Sequence, residues 1–147
     1  MSTTSNALNL AKAWERRAQA IAPLMREATR DATDTFLFES KMAMERLIYN
    51  KPVPQKDGKP AWIRTGKLQR SEKRILKGDY LGIVYNNAES EKKGKKYKYA
   101  RRRHEMKSRF PAPWRTEAEK IASPKIRKIY HDAIRKALKS GLLPGKV

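Results

Sequence analysis

The sequence predicts an α+β domain in which two long helical regions accompany a small antiparallel β-sheet. Residues 6–50 contain no glycine and show helical periodicity. The middle of the chain has short β-branched and aromatic runs around glycine turns, and a second apolar helical pattern begins at Trp114. A length of 147 residues fits a single domain, residues 1–147.

Apolar residues in the first region recur at steps of three and four, which places them along one face of a helix. Pro23 removes a backbone donor inside this pattern, so we expect the helix to be kinked or broken there, after a disordered start over residues 1–5. An unbroken helix of about 45 residues would be about 68 Å long, so it must fold back or project. The stripe packs against its own core or, in part, against another subunit. It consists of Ala11, Trp14, Ala18, Ile21, Met25, Ala28 and Ala32.

The middle of the chain predicts a hairpin between two loops. Residues 51–61 contain three prolines and one glycine, which indicates a loop. Residues 68–77 and 80–86 flank Gly78 and Asp79 and predict two antiparallel strands, in which Gly82 allows a bulge or a close approach. Residues 86–96 are polar and mostly charged, so we expect a second loop there.

A C-terminal helix is predicted from Trp114 onward. The preceding Phe110–Pro113 segment is rich in proline and ends whatever element comes before it. Ser123 and Pro124 indicate a restart inside the helix, because proline suits a first helical position. Gly141 is a natural helix end, and residues 141–147 are expected to form a flexible tail.

The charge balance restricts the class of partner. The chain has 35 Lys or Arg against 15 Asp or Glu, a formal net charge of +20. Residues 1–60 contribute a net +3 and residues 61–147 a net +17. A field of this sign attracts phosphate polymers or strongly acidic protein surfaces. The partner-facing charge therefore belongs to the second part of the chain.

The densest basic segment runs from Lys92 to Arg109, with ten Lys or Arg and a single acid, Glu105. Tyr97 and Tyr99 are interleaved with its lysines. Basic side chains neutralise phosphates and release counterions, and tyrosine rings support a base or a guanidinium. The other interpretation is a solvated loop that keeps the protein soluble.

The residues that enzymatic chemistry requires are scarce. There is no cysteine, and the two histidines, His104 and His131, have no second histidine at ligand spacing. No phosphate-binding glycine loop and no nucleophile triad is present. We therefore expect no catalysis, no metal and no cofactor. With neither a signal peptide nor an apolar run of membrane-spanning length, we also expect no membrane contact and a cytoplasmic site of synthesis.

Several short motifs occur in an order that resembles the neck or tail-completion proteins of long-tailed bacteriophages. A long helix is followed by Thr65-Gly66-Lys67-Leu68 with Ser71, and then by a hairpin. Tyr99-Ala100 follows, with Glu105 shortly after, and then the proline turn at 110–113 and the closing helix. The resemblance spans roughly residues 10–140, and the order of the motifs carries it.

The resemblance implies a structural virion protein, assembled in the host cytoplasm, that joins tail to head. It implies a homo-oligomeric ring, commonly of six subunits, through which double-stranded DNA passes without its sequence being read. Other neck proteins, on the portal side and at the tail tube, would be its partners. A tail-terminator or head-closure ring of the same neck is the alternative within this class. In another class, the charge fits a basic cellular nucleic-acid-binding protein.

Within such a ring, mobile lysines suit the lumen, because they attract phosphates without reading bases. Arginines suit fixed pairs with carboxylates of a neighbouring subunit or ring, because the guanidinium is planar and rigid. The candidates for the DNA-facing surface are Lys92, Lys93, Lys95, Lys96 and Lys98. The candidates for subunit or ring interfaces are Trp14, Met25, Arg101, Arg102, Arg103 and Trp114.

Overall fold

The structure, a computed structural model, describes residues 3–60, 66–98 and 112–144. It confirms an α+β fold with a long N-terminal helix, small antiparallel sheets and a C-terminal helix. The helical elements are α1 (Thr3–Met44), a π-helical turn (Glu45–Tyr49), α2 (Lys67–Arg70) and α3 (Trp114–Lys139). The strands are β1 (Gln55–Lys56), β2 (Lys59–Pro60), β3 (Glu72–Lys77), β4 (Leu81–Asn86), β5 (Glu89–Lys92) and β6 (Lys95–Lys98).

Helix α1 projects from the domain. It begins at Thr3, inside the expected disordered start, and continues through Pro23 as one helix, so two helices do not meet there. Its 42 residues correspond to about 63 Å. Every side chain from residue 6 to residue 20 is exposed, and burial begins at Ile21. Residues 6–20 are called the arm below.

Helix α3 runs antiparallel to the buried part of α1. Trp114, at its start, joins the core around Met44, and Lys125 forms an ion pair of 2.5 Å with the buried Glu39. Further along, the Tyr130 hydroxyl is 3.1 Å from Thr29 Oγ1. Small residues fill the core along both helices, which permits close packing. Its buried residues include Ala43, Met44, Ile48, Leu68, Ala88, Ala112, Trp114 and Ala118.

Three separate two-stranded antiparallel hairpins occur in the described residues. Two of them correct expected loops. Residues 51–61 contain β1 and β2 around Asp57 and Gly58, which have φ of 53° and 73°. Residues 86–96 contain β5 and the start of β6 around Lys93 and Gly94, which have φ of 51° and 72°. Two successive residues with positive φ match the twist of strands joined by a two-residue turn. The turn therefore allows the strands to pair although their sequence is polar.

The predicted hairpin is confirmed as β3–β4, but it starts at Glu72 because residues 67–70 form the helical turn α2. Strand β4 lies close to α1 at Gly82, where an added Cβ would be 1.7 Å from Thr33 Oγ1. The absence of a side chain at Gly82 is therefore what permits the close approach. At the hairpin turn, Asp79 accepts a hydrogen bond from Arg26, and this bond together with the negative charge raises the pKa of Arg26.

A buried carboxylate joins four elements. Glu72 on β3 accepts hydrogen bonds of 2.7 Å from Ser40 Oγ on α1 and from Asn86 Nδ2 on β4. Arg115 Nε on α3 is 3.4 Å away. The Asn86 amide also donates to the Leu68 carbonyl and its oxygen accepts from the Ala88 amide. Because a buried charge is costly unless it is paired and hydrogen-bonded, these partners decide whether the four elements can pack together.

The C-terminal helix ends where the sequence predicts. Gly141 has φ of 71°, its amide donates to the Leu138 carbonyl, and the Leu142 amide donates to the Ala137 carbonyl. This is a Schellman cap. Because these bonds fix residues 141–143, the start of the expected flexible tail is instead part of the cap. Helix α3 also passes through Pro124 unbroken, so the predicted restart is wrong.

The close approach at Gly82 makes a specific stability prediction. Gly82→Ala should destabilise the domain by roughly 2–3 kcal/mol, because the new methyl group overlaps Thr33 and forces backbone movement. Adding Thr33→Ala, which removes two of the three overlapping atoms, should recover part of the loss. Urea unfolding of the two single variants and the double variant measures this coupling, and additive losses would contradict the contact.

Removal of the Glu72 carboxylate should destabilise the domain more than removal of an exposed carboxylate does. Glu72→Ala should cost roughly 3 kcal/mol of unfolding free energy, because it leaves Ser40 and Asn86 without their shared acceptor and Arg115 without its counter-charge. Glu119→Ala, at an exposed position of α3, is the matched control and should change stability by less than about 0.5 kcal/mol. Equal effects in thermal unfolding would show that the buried network is not a determinant of the fold.

Candidate nucleic-acid and assembly surfaces

The β5–β6 hairpin presents three of the five predicted DNA-facing lysines. Lys93 lies at its turn and Lys95 and Lys96 follow, all three exposed. The base of the hairpin is anchored, because Ala88 is buried and Lys67 Nζ donates to the Glu89 carbonyl at 2.5 Å. An anchored base and an exposed turn suit a contact with a phosphate backbone. The side chains of Lys92 and Lys98 lie outside the described part of the chain.

A second basic surface lies on α3, and sequence reasoning missed it. The residues concerned follow one another at steps of seven, one, seven and four, which places all five within about one third of the helix circumference. All are exposed, and the ion pairs recorded on α3 use Arg115, Lys125 and His131 instead. The signal that could have revealed this surface is a set of basic residues on the face of α3 opposite its apolar residues. We call this surface the α3 basic stripe: Lys120, Arg127, Lys128, Arg135 and Lys139.

The arm carries the predicted assembly residue Trp14. Its side chain is 50 % exposed, and Leu8 and Leu10 are 57 % and 60 % exposed. Arg17 lies over the Trp14 ring, 5.3 Å from its centroid, which is cation–π geometry. Trp14 continues the α1 face that is buried against the domain further along, at Ala28 and beyond. The arm is thus an apolar helix face that no element in the described part of the chain covers.

The length of α3 explains why the arm is uncovered. Its 26 residues are 16 fewer than those of α1. Near the end of α3, Ala133 and Lys136 line a groove with Leu24 and Ala28 of α1, and the cap at Gly141 then stops the helix. The seam between the helices therefore ends close to Ile21, and α1 continues alone toward its N-terminus.

The outer face of the β3–β4 hairpin is a further exposed apolar surface. The register pairs Ile75 with Ile83 and Lys77 with Leu81. Ile75, Leu81 and Tyr85 are 45 %, 50 % and 38 % exposed. The opposite face of the same hairpin carries Glu72 and Gly82 toward α1. The arm of the same chain cannot cover the outer face, because α1 lies on the inner side.

The other predicted interface residues have different fates. Trp114 is a core residue, 1 % exposed, because it packs with Met44 and Ala118; it is not available at a subunit surface, and that prediction is wrong. Met25 is half-buried on α1, at the edge of the packed seam. Arg101, Arg102 and Arg103 lie outside the described residues.

The described part of the chain offers little for metal or acid–base chemistry. In residues 3–60, 66–98 and 112–144, no group of three or more histidine and carboxylate side chains could hold a metal ion. His131 is exposed and lies 4.0 Å from the Asp132 carboxylate, a surface pair without a third partner in the described ranges. No helix within these ranges is long and apolar enough to cross a membrane.

Comparison of the chain with models of protein families, with curated proteins and with solved structures finds no match. The function of the chain is therefore inferred from its exposed basic and apolar surfaces and from the order of its sequence motifs.

The turn that presents the hairpin lysines can be tested directly. Lys93→Asn should preserve or strengthen the β5–β6 hairpin, because asparagine tolerates the positive φ of this position, whereas Lys93→Val should weaken it. Hydrogen exchange of the strand amides measures the difference. Both variants remove the same charge, so equal protection in the two would contradict the turn geometry.

Proposed function

We propose that this chain is a structural protein of a phage neck that assembles with copies of itself into a ring and contacts DNA through phosphates. The observation that carries the proposal is the arm, whose apolar face is exposed and is covered by none of the elements in residues 3–60, 66–98 and 112–144. Such a surface is normally completed by another subunit. The protein would act by assembly in the virion neck, without catalysis.

The motif order supports the choice of the neck family among assembling proteins. Gly66 adopts the left-handed conformation, with φ of 67°, as the N-cap of α2, and Leu68 is 5 % exposed in the core. Both residues belong to the short step that resembles the family. Their positions show a structural reason for that step, because a side chain at Gly66 would strain the backbone and a polar residue at Leu68 would disturb the core.

Two apolar surfaces on one chain suit a ring. In a cyclic assembly each subunit contacts its neighbours through two different patches. The arm and the outer face of the β3–β4 hairpin are two such patches, and they lie on different elements. We propose that the arm of one copy packs against the neighbouring copy, with that hairpin face as a candidate receptor. A tail-terminator or head-closure ring would use the same geometry at another level of the neck.

A basic cellular nucleic-acid-binding protein is the second candidate function. The observation in its favour is the α3 basic stripe, which a monomer could use without a ring. It differs from the neck proposal in what it requires of Trp14. A monomeric binder needs no exposed apolar arm, whereas a ring protein depends on it.

The arm is therefore the decisive target. Trp14→Glu should prevent self-association and the joining of heads to tails, because it replaces a large apolar side chain with a charged carboxylate that would have to lose its water in an apolar contact. The domain itself should keep its melting temperature within about 2 °C, since Trp14 is exposed in the single chain. Light scattering coupled to size exclusion measures assembly, and electron microscopy counts joined particles.

Arg16→Glu is the matched control, because Arg16 lies on the opposite side of the same exposed helix. It should assemble normally. If Trp14→Glu also assembles and joins particles at the normal yield, the arm is not a subunit interface and the ring proposal loses its main support.

A further inference from the structure

We propose that the α3 basic stripe is a binding surface for the phosphate backbone of duplex DNA. The proposal rests on the proposed function in one respect, because it takes from it that DNA is the polymer that the protein contacts. It differs from the sequence-based expectation, which assigned this contact to the Lys92–Arg109 segment. The stripe can be tested on its own, since it needs no ring.

The charge of the stripe is almost entirely of one sign, the exposed Asp132, four residues after Lys128, being the one acid on the same side of the helix. Between Lys120 and Lys139, α3 has seven Lys or Arg and one acid, Asp132, which lies beside His131. A surface whose only role is solubility usually intersperses both signs. Helix α1 follows that usual pattern, with exposed Glu27 and with Arg30 paired to Asp31 at 3.8 Å. The difference between the two helices indicates that α3 is built to attract an anion.

The cations of the stripe are also free to bind. Arg115 and Lys125, on the other side of α3, are ion-paired with Glu72 and Glu39. No ion pair or side-chain hydrogen bond within the described chain engages the five residues of the stripe. Binding of phosphate therefore breaks no interaction that stabilises the fold.

The length of the stripe fits a duplex. From Lys120 to Lys139 the helix rises about 28 Å, which corresponds to roughly eight base pairs of B-form DNA. The helix is continuous through Pro124 and is packed on its other face from Trp114 to Ala137. A rigid row of lysines and arginines tracks a backbone without reading bases.

A membrane surface fits the stripe less well. Interfacial helices present an apolar face beside their basic residues, so that the helix sinks into the headgroup boundary. Most of the apolar face of α3 is already used against α1, as the burial of Ala118, Ala122 and Ala137 shows, and Ile134, 44 % exposed, is a single exception and not a face. Polymeric phosphate is the anion that needs only the outer face.

The test compares three forms of the full chain in binding to a mixed-sequence DNA duplex of about 20 base pairs, between 50 and 200 mM salt. The stripe variant replaces all five residues of the α3 basic stripe with glutamine, which keeps helix propensity. A scattered variant makes the same change at five exposed positions elsewhere, so both lose the same charge. Its positions are Arg16, Arg46, Lys56, Lys59 and Arg70. Circular dichroism and thermal unfolding confirm that each variant is folded.

We expect the stripe variant to bind at least 100-fold more weakly at 50 mM salt and to lose about 3–4 from the slope of log K against log salt. The scattered variant should lose much less of both. Equal losses in the two variants would mean that binding follows net charge alone, and unchanged binding by the stripe variant would mean that DNA does not contact α3. Either result overturns the proposal, as does failure of the natural chain to bind.

The same binding measurement is repeated with polyglutamate in place of DNA. If the stripe variant loses binding to polyglutamate while retaining DNA, the surface recognises acidic protein and the proposal is wrong. Head–tail joining is scored separately. A natural chain that binds DNA through α3 but has no role in joining supports the stripe and counts against the neck function, so the two failures are distinguishable.

Discussion

Packing of this small domain depends on the carboxylate of Glu72. It is the point at which α1, β3, β4 and α3 meet, through Ser40, Asn86 and Arg115. A hydrocarbon core alone would not fix the relative positions of these elements, because alanine supplies much of the buried surface and alanine is small. A carboxylate has directional requirements, and a buried one that lost its partners would be costly. The network therefore specifies one arrangement of helices and hairpin.

The small residues of the helix seam complement this network. Ala28 and Ala32 on α1, and Ala118, Ala122 and Ala137 on α3, are buried and leave room for close helix packing. At the hairpin, Gly82 provides the same freedom opposite Thr33. The chain thus reaches a packed interior with few large side chains. Among the described residues, Trp114 and Met44 are the largest apolar side chains that are fully buried. The large apolar side chains of the arm remain outside.

Three elements could be predicted because each has a strong local signal. Helical periodicity predicted the two helices, a glycine turn between two strand-like runs predicted the β3–β4 hairpin, and Gly141 predicted the end of the C-terminal helix. The β5–β6 hairpin was not predicted, because its strands are charged and its turn places the non-glycine Lys93 at positive φ. Pro124 gave a misleading signal, since tertiary packing of α3 on α1 overrides a lost backbone donor. The Glu72 network could not be predicted, because its partners are separated by 32 residues for Ser40 and 14 for Asn86.

The candidate surfaces divide in the same way. Trp14 was predicted to be an assembly residue from the helical stripe, but periodicity could not show that α3 would end before the arm. Trp114, a candidate interface residue at the predicted start of the C-terminal helix, is buried by tertiary contacts that the sequence pattern does not show. The α3 basic stripe was overlooked because contiguous runs of charge are conspicuous, and basic residues spread along residues 120–139 of a helix are not.

The separation of these surfaces has a consequence for assembly. Each copy brings a formal charge of +20, so copies repel one another at low salt, and apolar contacts of the arm must overcome that repulsion. Because the stripe lies on α3 and the arm on α1, a copy could hold a neighbour and a phosphate backbone at the same time. Phosphates on the stripe would remove part of the repulsion between neighbouring copies. In the proposed ring, DNA would therefore stabilise the very assembly that encloses it, and high salt would weaken the DNA contact while relieving the repulsion.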